Sequence, residues 1–177
     1  MRKKQEIILD NVLIESVAAE GKALAHVDGI ALFVQFAVPG DIVKVKVTKK
    51  KKNYMEGFIL ELDKPSENRL EPFCEYFSVC GGCKWQPLPY EMQLAAKQQQ
   101  VYDQLVRIGH LEIPEISPIL GSEKTEYYRN KLEFTFSNRR WEKKPLEEGE
   151  AAQPGLGFHV GKYFDKVLDI EDCHLQA

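Results

Sequence analysis

The chain has 177 residues, of which 44% are hydrophobic and 29% are charged. This composition is typical of a globular protein and excludes an intrinsically disordered chain. No apolar run reaches the roughly 18 residues of a membrane span, and no signal-peptide apolar stretch follows the basic start of the chain. We therefore expect a cytoplasmic protein without a membrane anchor.

The net charge of −3 argues against a uniformly basic nucleic-acid-binding protein, but the charge is unevenly distributed. Residues 1–64 carry 11 Lys and Arg against 9 Asp and Glu, whereas residues 65–177 carry 13 against 18. Six lysines fall in one short stretch: Lys44, Lys46, Lys49, Lys50, Lys51 and Lys52. The cluster is either a contact for RNA phosphates or the solvated tip of a hairpin, where lysines protect strand edges.

Strand-like runs and turn signals predict a small β unit in residues 1–62. On the fourth run, valines alternate with lysines, so the two residue types should lie on opposite faces. Five short strands in about 60 residues predict a closed or partly closed barrel of the OB type. The runs are Ile7–Val17, Lys22–Val27, Ile30–Phe36, Asp41–Lys49 and Tyr54–Leu62.

Residues 63–115 are predicted to hold a short linker, a cysteine-rich loop and one helix. The helix should run from about Pro89 to Ile108, since proline suits a first turn and Gly109 suits a stop. Its apolar residues recur at helical spacing and predict an inward-facing side. They are Tyr90, Leu94, Val101, Leu105 and Ile108.

Residues 116–177 are predicted to begin a second β domain, an antiparallel meander. Its strands are expected at Tyr127–Phe136, Gly155–Val160 and Lys166–Ile170. On the first of these, Arg129 and Lys131 share a face and are candidate RNA contacts. The alternative is an ordinary exposed face paired with an acidic neighbour. The fold class is thus mainly β with some α.

The four cysteines of the chain have a spacing that predicts a metal centre. Cys74, Cys80 and Cys83 follow the pattern C-x5-C-G-G-C, and Cys173 lies 90 positions further along. Structural zinc sites usually use two C-x2-4-C pairs, and this chain has only one. Three clustered cysteines with a remote fourth suit the four iron corners of a 4Fe–4S cluster. The pattern favours iron–sulfur, leaves zinc or no metal open, and disfavours disulfides in a cytosolic protein.

The order of these features resembles the uracil-5 RNA methyltransferases of the 23S ribosomal RNA type. The resemblance covers essentially the whole chain, and the barrel is similar to that family's TRAM domain. It implies that Cys74, Cys80, Cys83 and Cys173 bind a 4Fe–4S cluster. The motifs that carry it, besides the cysteines, are Tyr128–Phe134, Gly157–His159 and Asp169–Cys173.

The resemblance also implies that catalysis occurs in a domain C-terminal to this region, which binds S-adenosylmethionine. No catalytic or S-adenosylmethionine-binding residue is therefore assigned here, and the chain alone is expected to be inactive. Its expected partner is RNA, with 23S ribosomal RNA preferred, and its expected state is a monomer. The RNA contacts assigned are Lys49, Lys50, Lys51, Lys52, Arg129 and Lys131. The alternative is a free-standing RNA-binding or redox module.

Overall fold

The computed structural model describes residues 6–147, 149–161 and 163–176. The chain divides into two compact units, one of Met1–Glu71 with Trp85–Gly121 and one of Pro72–Lys84 with Ser122–Ala177. Both contain a β-sheet, and one helix of more than two turns is present among the described residues. The predicted fold class, mainly β with some α, is confirmed.

The first unit is built on a six-stranded sheet in the order β1-β5-β6-β4-β3-β2. Strands β4 and β6 run parallel, and the other neighbours are antiparallel. Because β1 and β2 occupy opposite edges and are consecutive in the chain, the sheet closes on itself as the predicted OB-type barrel. The strands are β1 Ile7–Leu13, β2 Ser16–Val17, β3 Lys22–Val27, β4 Ile30–Gln35, β5 Ile42–Lys50 and β6 Tyr54–Lys64, with a 3-10 turn at Ala19–Gly21.

The barrel closes at Ile14 and Glu15, between β1 and β2. The Ile14 N–H donates to the Asp41 carbonyl at 2.9 Å, and the Glu15 N–H donates to the Leu24 carbonyl at 2.9 Å. The prediction of one continuous strand over Ile7–Val17 is therefore wrong. The run changes partner at this step, since its first half pairs with β5 and its second half with β3.

The barrel interior is filled by aliphatic side chains. The predicted alternation on β5 is confirmed, since Val43 and Val45 are fully buried while Lys44 and Lys46 lie on the outer face. Removing these apolar surfaces from water supplies the main driving force for this unit. The buried residues are Val12, Ile14, Ala23, Ala25, Leu32, Val34, Val43, Val45 and Met55.

One charged side chain, Asp41, is fully buried beside the barrel. Its carboxylate accepts hydrogen bonds from the Val38 N–H at 2.7 Å, the Ser66 N–H at 2.8 Å and Arg69 Nη1 at 2.6 Å. A buried carboxylate is tolerated only when it is paired and hydrogen-bonded in this way. The linker predicted over residues 63–66 is shorter in the structure, because β6 continues to Lys64. Ser66 and, beyond the linker, Arg69 attach the chain to the barrel.

The predicted helix is present as α1 Tyr90–Tyr102, which continues in a π-helical segment Asp103–Ile108 and ends at Gly109. No residue of either segment is fully buried. Val101 is 47% exposed and Ile108 74% exposed, so the prediction that they face inward is wrong. Because a π-helix has more residues per turn, it rotates Ile108 away from the face that α-helical spacing predicts.

Among the described residues, no helix is long and apolar enough to cross a membrane.

The second unit contains an antiparallel three-stranded sheet in the order β7-β8-β9. The strands are β7 Thr135–Ser137, β8 Gly155–Val160 and β9 Tyr163–Asp169. The predicted meander is therefore confirmed in its topology. The bounds of β8 match the prediction, and β9 begins earlier than predicted.

The strand predicted over Tyr127–Phe136 is wrong for all but its last two residues. In its place, the Tyr127 N–H donates to the His174 carbonyl at 2.7 Å and the Arg129 N–H donates to the Leu175 carbonyl at 2.8 Å. These hydrogen bonds to the C-terminal segment give the backbone N–H groups of Tyr127 and Arg129 their acceptors without a continuous β-strand ladder. Alternating polarity alone did not reveal this competing partner.

We expect Asp41→Asn to lower the free energy of unfolding by about 3–5 kcal/mol, because it leaves Arg69 without its anionic partner. The matched control is Asp10→Asn, which removes an exposed carboxylate 3.1 Å from Lys44. The control should cost less than about 1 kcal/mol. Urea unfolding measures both, and equal costs for the two variants would contradict the assignment of Asp41 as the anchor.

Candidate metal centre and nucleic-acid interface

Three of the four cysteines lie in a loop of consecutive turns in the second unit. The Phe77 N–H donates to the Cys74 carbonyl at 3.0 Å, and the Cys80 N–H donates to the Tyr76 carbonyl at 2.9 Å. Cys80 also forms an isolated antiparallel bridge with Val160, at the end of β8. The loop is therefore held against the three-stranded sheet.

Contacts on both sides of Cys173 attach the fourth cysteine to the same loop. The Tyr76 hydroxyl accepts a hydrogen bond from the Glu171 N–H at 3.3 Å. The ring of Phe73 packs edge-to-face against the His174 ring, with centroids 5.1 Å apart. Cys173 thus lies between two residues that contact the loop, although it is distant from the loop in sequence.

The Cys80 thiol is influenced by burial and by the other three cysteines. Burial raises the pKa of the Cys80 thiol, and the negative charge of Cys83, Cys173 and Cys74 raises it further. The Gly82 N–H donates to Cys80 Sγ at 3.4 Å and acts in the opposite direction. All four cysteines are half-buried, and none forms a disulfide. Cys80 therefore lies within electrostatic range of the other three cysteines.

The donor chemistry of this cluster suits a thiophilic metal group. Four thiolates can ligate Zn²⁺ or a 4Fe–4S cluster, and a bound cation would offset the repulsion that raises the pKa of Cys80. In the part of the chain that the structure describes, no group of three or more His, Cys, Asp or Glu side chains is arranged to hold a metal ion. The fit of these cysteines to a metal group therefore rests on the chemistry of the thiol donors and on the electrostatics of Cys80. It does not rest on sulfur atoms already placed around a metal position.

Two of the six clustered lysines are neutralised on the outer face of the barrel. Lys44 lies 3.1 Å from Asp10, and Lys46 lies 2.6 Å from Glu6. The hydrogen bond to Asp10 raises the pKa of Lys44. These two side chains are committed to carboxylates of the chain itself and present little net charge to a ligand.

The hairpin between β5 and β6 carries the remaining lysines. Lys49 lies 3.3 Å from Glu56, whereas Lys50, Lys51 and Lys52 are exposed and form no ion pair with any described residue. The Lys51 N–H donates to the Tyr54 carbonyl at 2.8 Å and closes the hairpin. The uncompensated positive charge is thus concentrated at Lys50–Lys52, which we name the lysine tip.

The predicted RNA contacts Arg129 and Lys131 belong to the second unit. Lys131 Nζ lies 2.9 Å from the Glu133 carboxylate, and both side chains are more than 80% exposed. Arg129 is exposed, and its backbone bonds to the C-terminal segment. Lys131 therefore has the acidic partner that the alternative interpretation of this segment required.

An aromatic pair lies on the barrel. The ring of Phe33 contacts that of Tyr54, with ring centroids 6.1 Å apart and an interplanar angle of 67°. The sequence signal that could have located Tyr54 is its position next to Met55, whose side chain is buried in the barrel. Alternation places Tyr54 on the outer face.

The comparisons with known proteins agree with this organisation. Residues 10–60 match the family model of the TRAM domain. The chain is 56% identical over 170 residues to a protein of Porphyromonas gingivalis, and 52% identical over 167 residues to one of Bacteroides thetaiotaomicron, both named as RNA methyltransferases. Most of the chain is thus similar to part of these two proteins, and it spans only 37% and 36% of their lengths.

A solved structure of similar fold is the tRNA (uracil-54, C5)-methyltransferase of Pyrococcus abyssi in complex with S-adenosyl-L-homocysteine. The TM-score is 0.50 and the sequence identity 24%. The match covers 93% of this chain and 32% of the archaeal chain. At this identity, the likeness establishes the fold of the shared part.

We expect Cys80 of the metal-free chain to react more slowly with iodoacetamide at pH 8 than an ordinary exposed thiol. Its raised pKa keeps it protonated, and the thiolate is the reactive form. Mass spectrometry of the labelled peptides measures the rate against pH, and the midpoint should lie above that of an ordinary cysteine. Replacing Cys83 and Cys173 with serine should shift the midpoint only part of the way back, because burial is the largest cause. A midpoint at the ordinary value in the unsubstituted chain would contradict this assignment.

Proposed function

We propose that this chain is the RNA-binding and iron–sulfur part of an S-adenosylmethionine-dependent enzyme that makes 5-methyluridine in 23S ribosomal RNA. The observation that carries the proposal is the occurrence, in one chain with a TRAM domain, of three cysteines in one loop and a fourth flanked by contacts to that loop. The named RNA methyltransferases among its relatives support the reaction class. The order of motifs in the sequence supports the ribosomal substrate.

In this proposal, the cluster is structural. Cys74, Cys80, Cys83 and Cys173 hold a 4Fe–4S cluster, so each iron has a protein ligand and none is open to substrate. The cluster then ties residues 74–83 to the C-terminal segment and closes a loop of about 90 residues, which is a large entropic constraint on the unfolded chain.

The same assignment explains why we place the chemistry outside these 177 residues. Methylation at uracil C5 requires a nucleophilic thiolate and a base for the C5 proton. If all four cysteines ligate the cluster, this chain has no thiolate to attack the ring. We propose that residues 1–62 bind RNA, residues 63–115 carry the cluster loop and helix, and residues 116–177 begin the central β domain. A separate domain would bind S-adenosylmethionine.

RNA binding by the first unit is proposed to begin with phosphate contacts at the lysine tip. Lysines position a nucleic-acid backbone without reading its sequence. Because Lys44 and Lys46 on the outer face already have carboxylate partners, the exposed lysines of the tip are the proposed contacts for phosphates. Arg129 and Lys131 remain proposed contacts of the second unit. We propose that the chain acts as a monomer.

Anaerobically purified or reconstituted chain should show broad visible absorption near 400 nm, with about four iron and four sulfide per chain. Cys173→Ser should abolish the colour, because it removes one corner ligand. The matched control is Glu75→Gln, a change at an exposed residue beside Cys74, which should keep the cluster. Colourless protein with stoichiometric zinc would refute the iron–sulfur assignment.

Replacing Lys50, Lys51 and Lys52 with alanine should weaken binding to RNA and reduce the salt dependence of log Kd by up to about one per lysine. The matched control is Lys22→Ala with Lys44→Ala and Lys46→Ala, which removes the same charge from lysines that already have acidic partners. Filter binding at several salt concentrations measures both. Equal slopes for the two triple variants would show that net charge alone, not the lysine tip, determines affinity.

A further inference from the structure

We propose that Phe33 and Tyr54 form a stacking site for an unpaired RNA base on the outer face of the barrel. The inference rests on the proposed function and narrows it, because it assigns single-stranded RNA to this surface in place of a duplex. The site is distinct from the lysine tip, which contacts phosphates.

The register of β4 and β6 brings the two rings together. These parallel strands align Ala31 with Tyr54 and Phe33 with Glu56, so the two aromatic residues are diagonal neighbours. Their alternating neighbours on the two strands fill the barrel core, which directs both rings to the outer face. Both side chains are half-buried, with centroids 6.1 Å apart at 67°. The pair therefore offers a fixed apolar platform with ring surface that reaches solvent.

Lys49 and Glu56 hold the tyrosine in place. Lys49 Nζ lies 5.2 Å from the centroid of the Tyr54 ring, and 3.3 Å from the Glu56 carboxylate. The hydrogen bonds to Tyr54 and Glu56 raise the pKa of Lys49, so it stays charged over the ring. A ring that is already ordered loses less conformational entropy when a base stacks on it. The three strands that carry these residues, β5, β6 and β4, are adjacent in the sheet.

The chemistry of this surface favours an unpaired base. Bases in an A-form duplex stack on each other and do not offer their faces, whereas bases in loops and single strands stack on protein aromatics. The Lys51 N–H bonds to the Tyr54 carbonyl, so the lysine tip is adjacent in structure to the tyrosine. Lysines beside an aromatic platform match the alternation of phosphate and base along one RNA strand.

The test compares two double variants of the full 177-residue chain. Phe33→Leu with Tyr54→Leu removes both rings but keeps apolar cover on the strands, whereas Phe33→Tyr with Tyr54→Phe keeps both rings. The probes are a single-stranded oligouridine RNA and a perfectly paired RNA duplex of equal charge. The leucine variant should bind the single strand at least about five-fold more weakly, with the salt slope unchanged. Its affinity for the duplex should not change, and the ring-keeping variant should match the original chain on both probes.

Each other outcome overturns the proposal in a recognisable way. Unchanged single-strand affinity in the leucine variant, or equal losses on both probes, would show that the rings do not stack on bases. Urea unfolding of both variants excludes loss of the fold as the cause. If the lysine-tip variant loses affinity and the leucine variant does not, only the stacking site is wrong. If the original chain binds neither probe, the proposed RNA-binding function fails as well.

Discussion

The barrel of the first unit depends on the hydrogen bonds of one buried residue, Asp41. Its carboxylate binds Arg69 and two backbone N–H groups, while its carbonyl accepts the Ile14 N–H at the point where the barrel closes. The Gly40 N–H in turn donates a hydrogen bond to the Ile14 carbonyl at 2.8 Å. One residue therefore fixes both the closure of the sheet and the path of the chain after β6. A closed barrel leaves no unpaired edge, so its outer face can present side chains on a rigid support.

The second unit has a different source of order. Among its described side chains, the buried hydrophobic ones are Val167 and Leu168, which is a small core for a unit of this length. Small domains that cannot bury enough apolar surface commonly use a metal or another cross-link. The four cysteines lie where such a cross-link would join the loop at 74–83 to the C-terminal segment. A metal group at the proposed site would therefore supply the cross-link that the small core of this unit lacks.

Local charge matters more to the proposed function than net charge does. The chain is acidic overall, at −3, yet the lysine tip has no acidic partner among the described residues. Carboxylates compensate Lys44 and Lys46 on the outer face of the barrel, whereas the lysines at the hairpin end have no ion pair with any described residue. The nearby Lys49 has a structural task, since it connects Glu56 to the Tyr54 ring. The lysines of this run thus have three different positions. Lys44 and Lys46 lie on the outer face of the barrel, Lys49 contacts the Tyr54 ring, and Lys50–Lys52 form the lysine tip.

Short-range patterns were enough to predict much of this protein. The alternation of valine and lysine in β5 identified a barrel strand, and the helix stop at Gly109 identified the end of the helix, since each depends on residues close in the chain. The metal centre that the C-x5-C-G-G-C spacing indicates stays a prediction. Long-range pairing was decided only in the tertiary structure. The sequence pattern predicts a strand at Tyr127 and Arg129. Their backbone N–H groups instead hydrogen-bond to a segment more than 40 positions away. Asp41, the first residue of a predicted strand, becomes the anchor only because Arg69 reaches it. Such partners have no local signal, because hydrogen bonds and ion pairs between distant segments exist only after the core has formed.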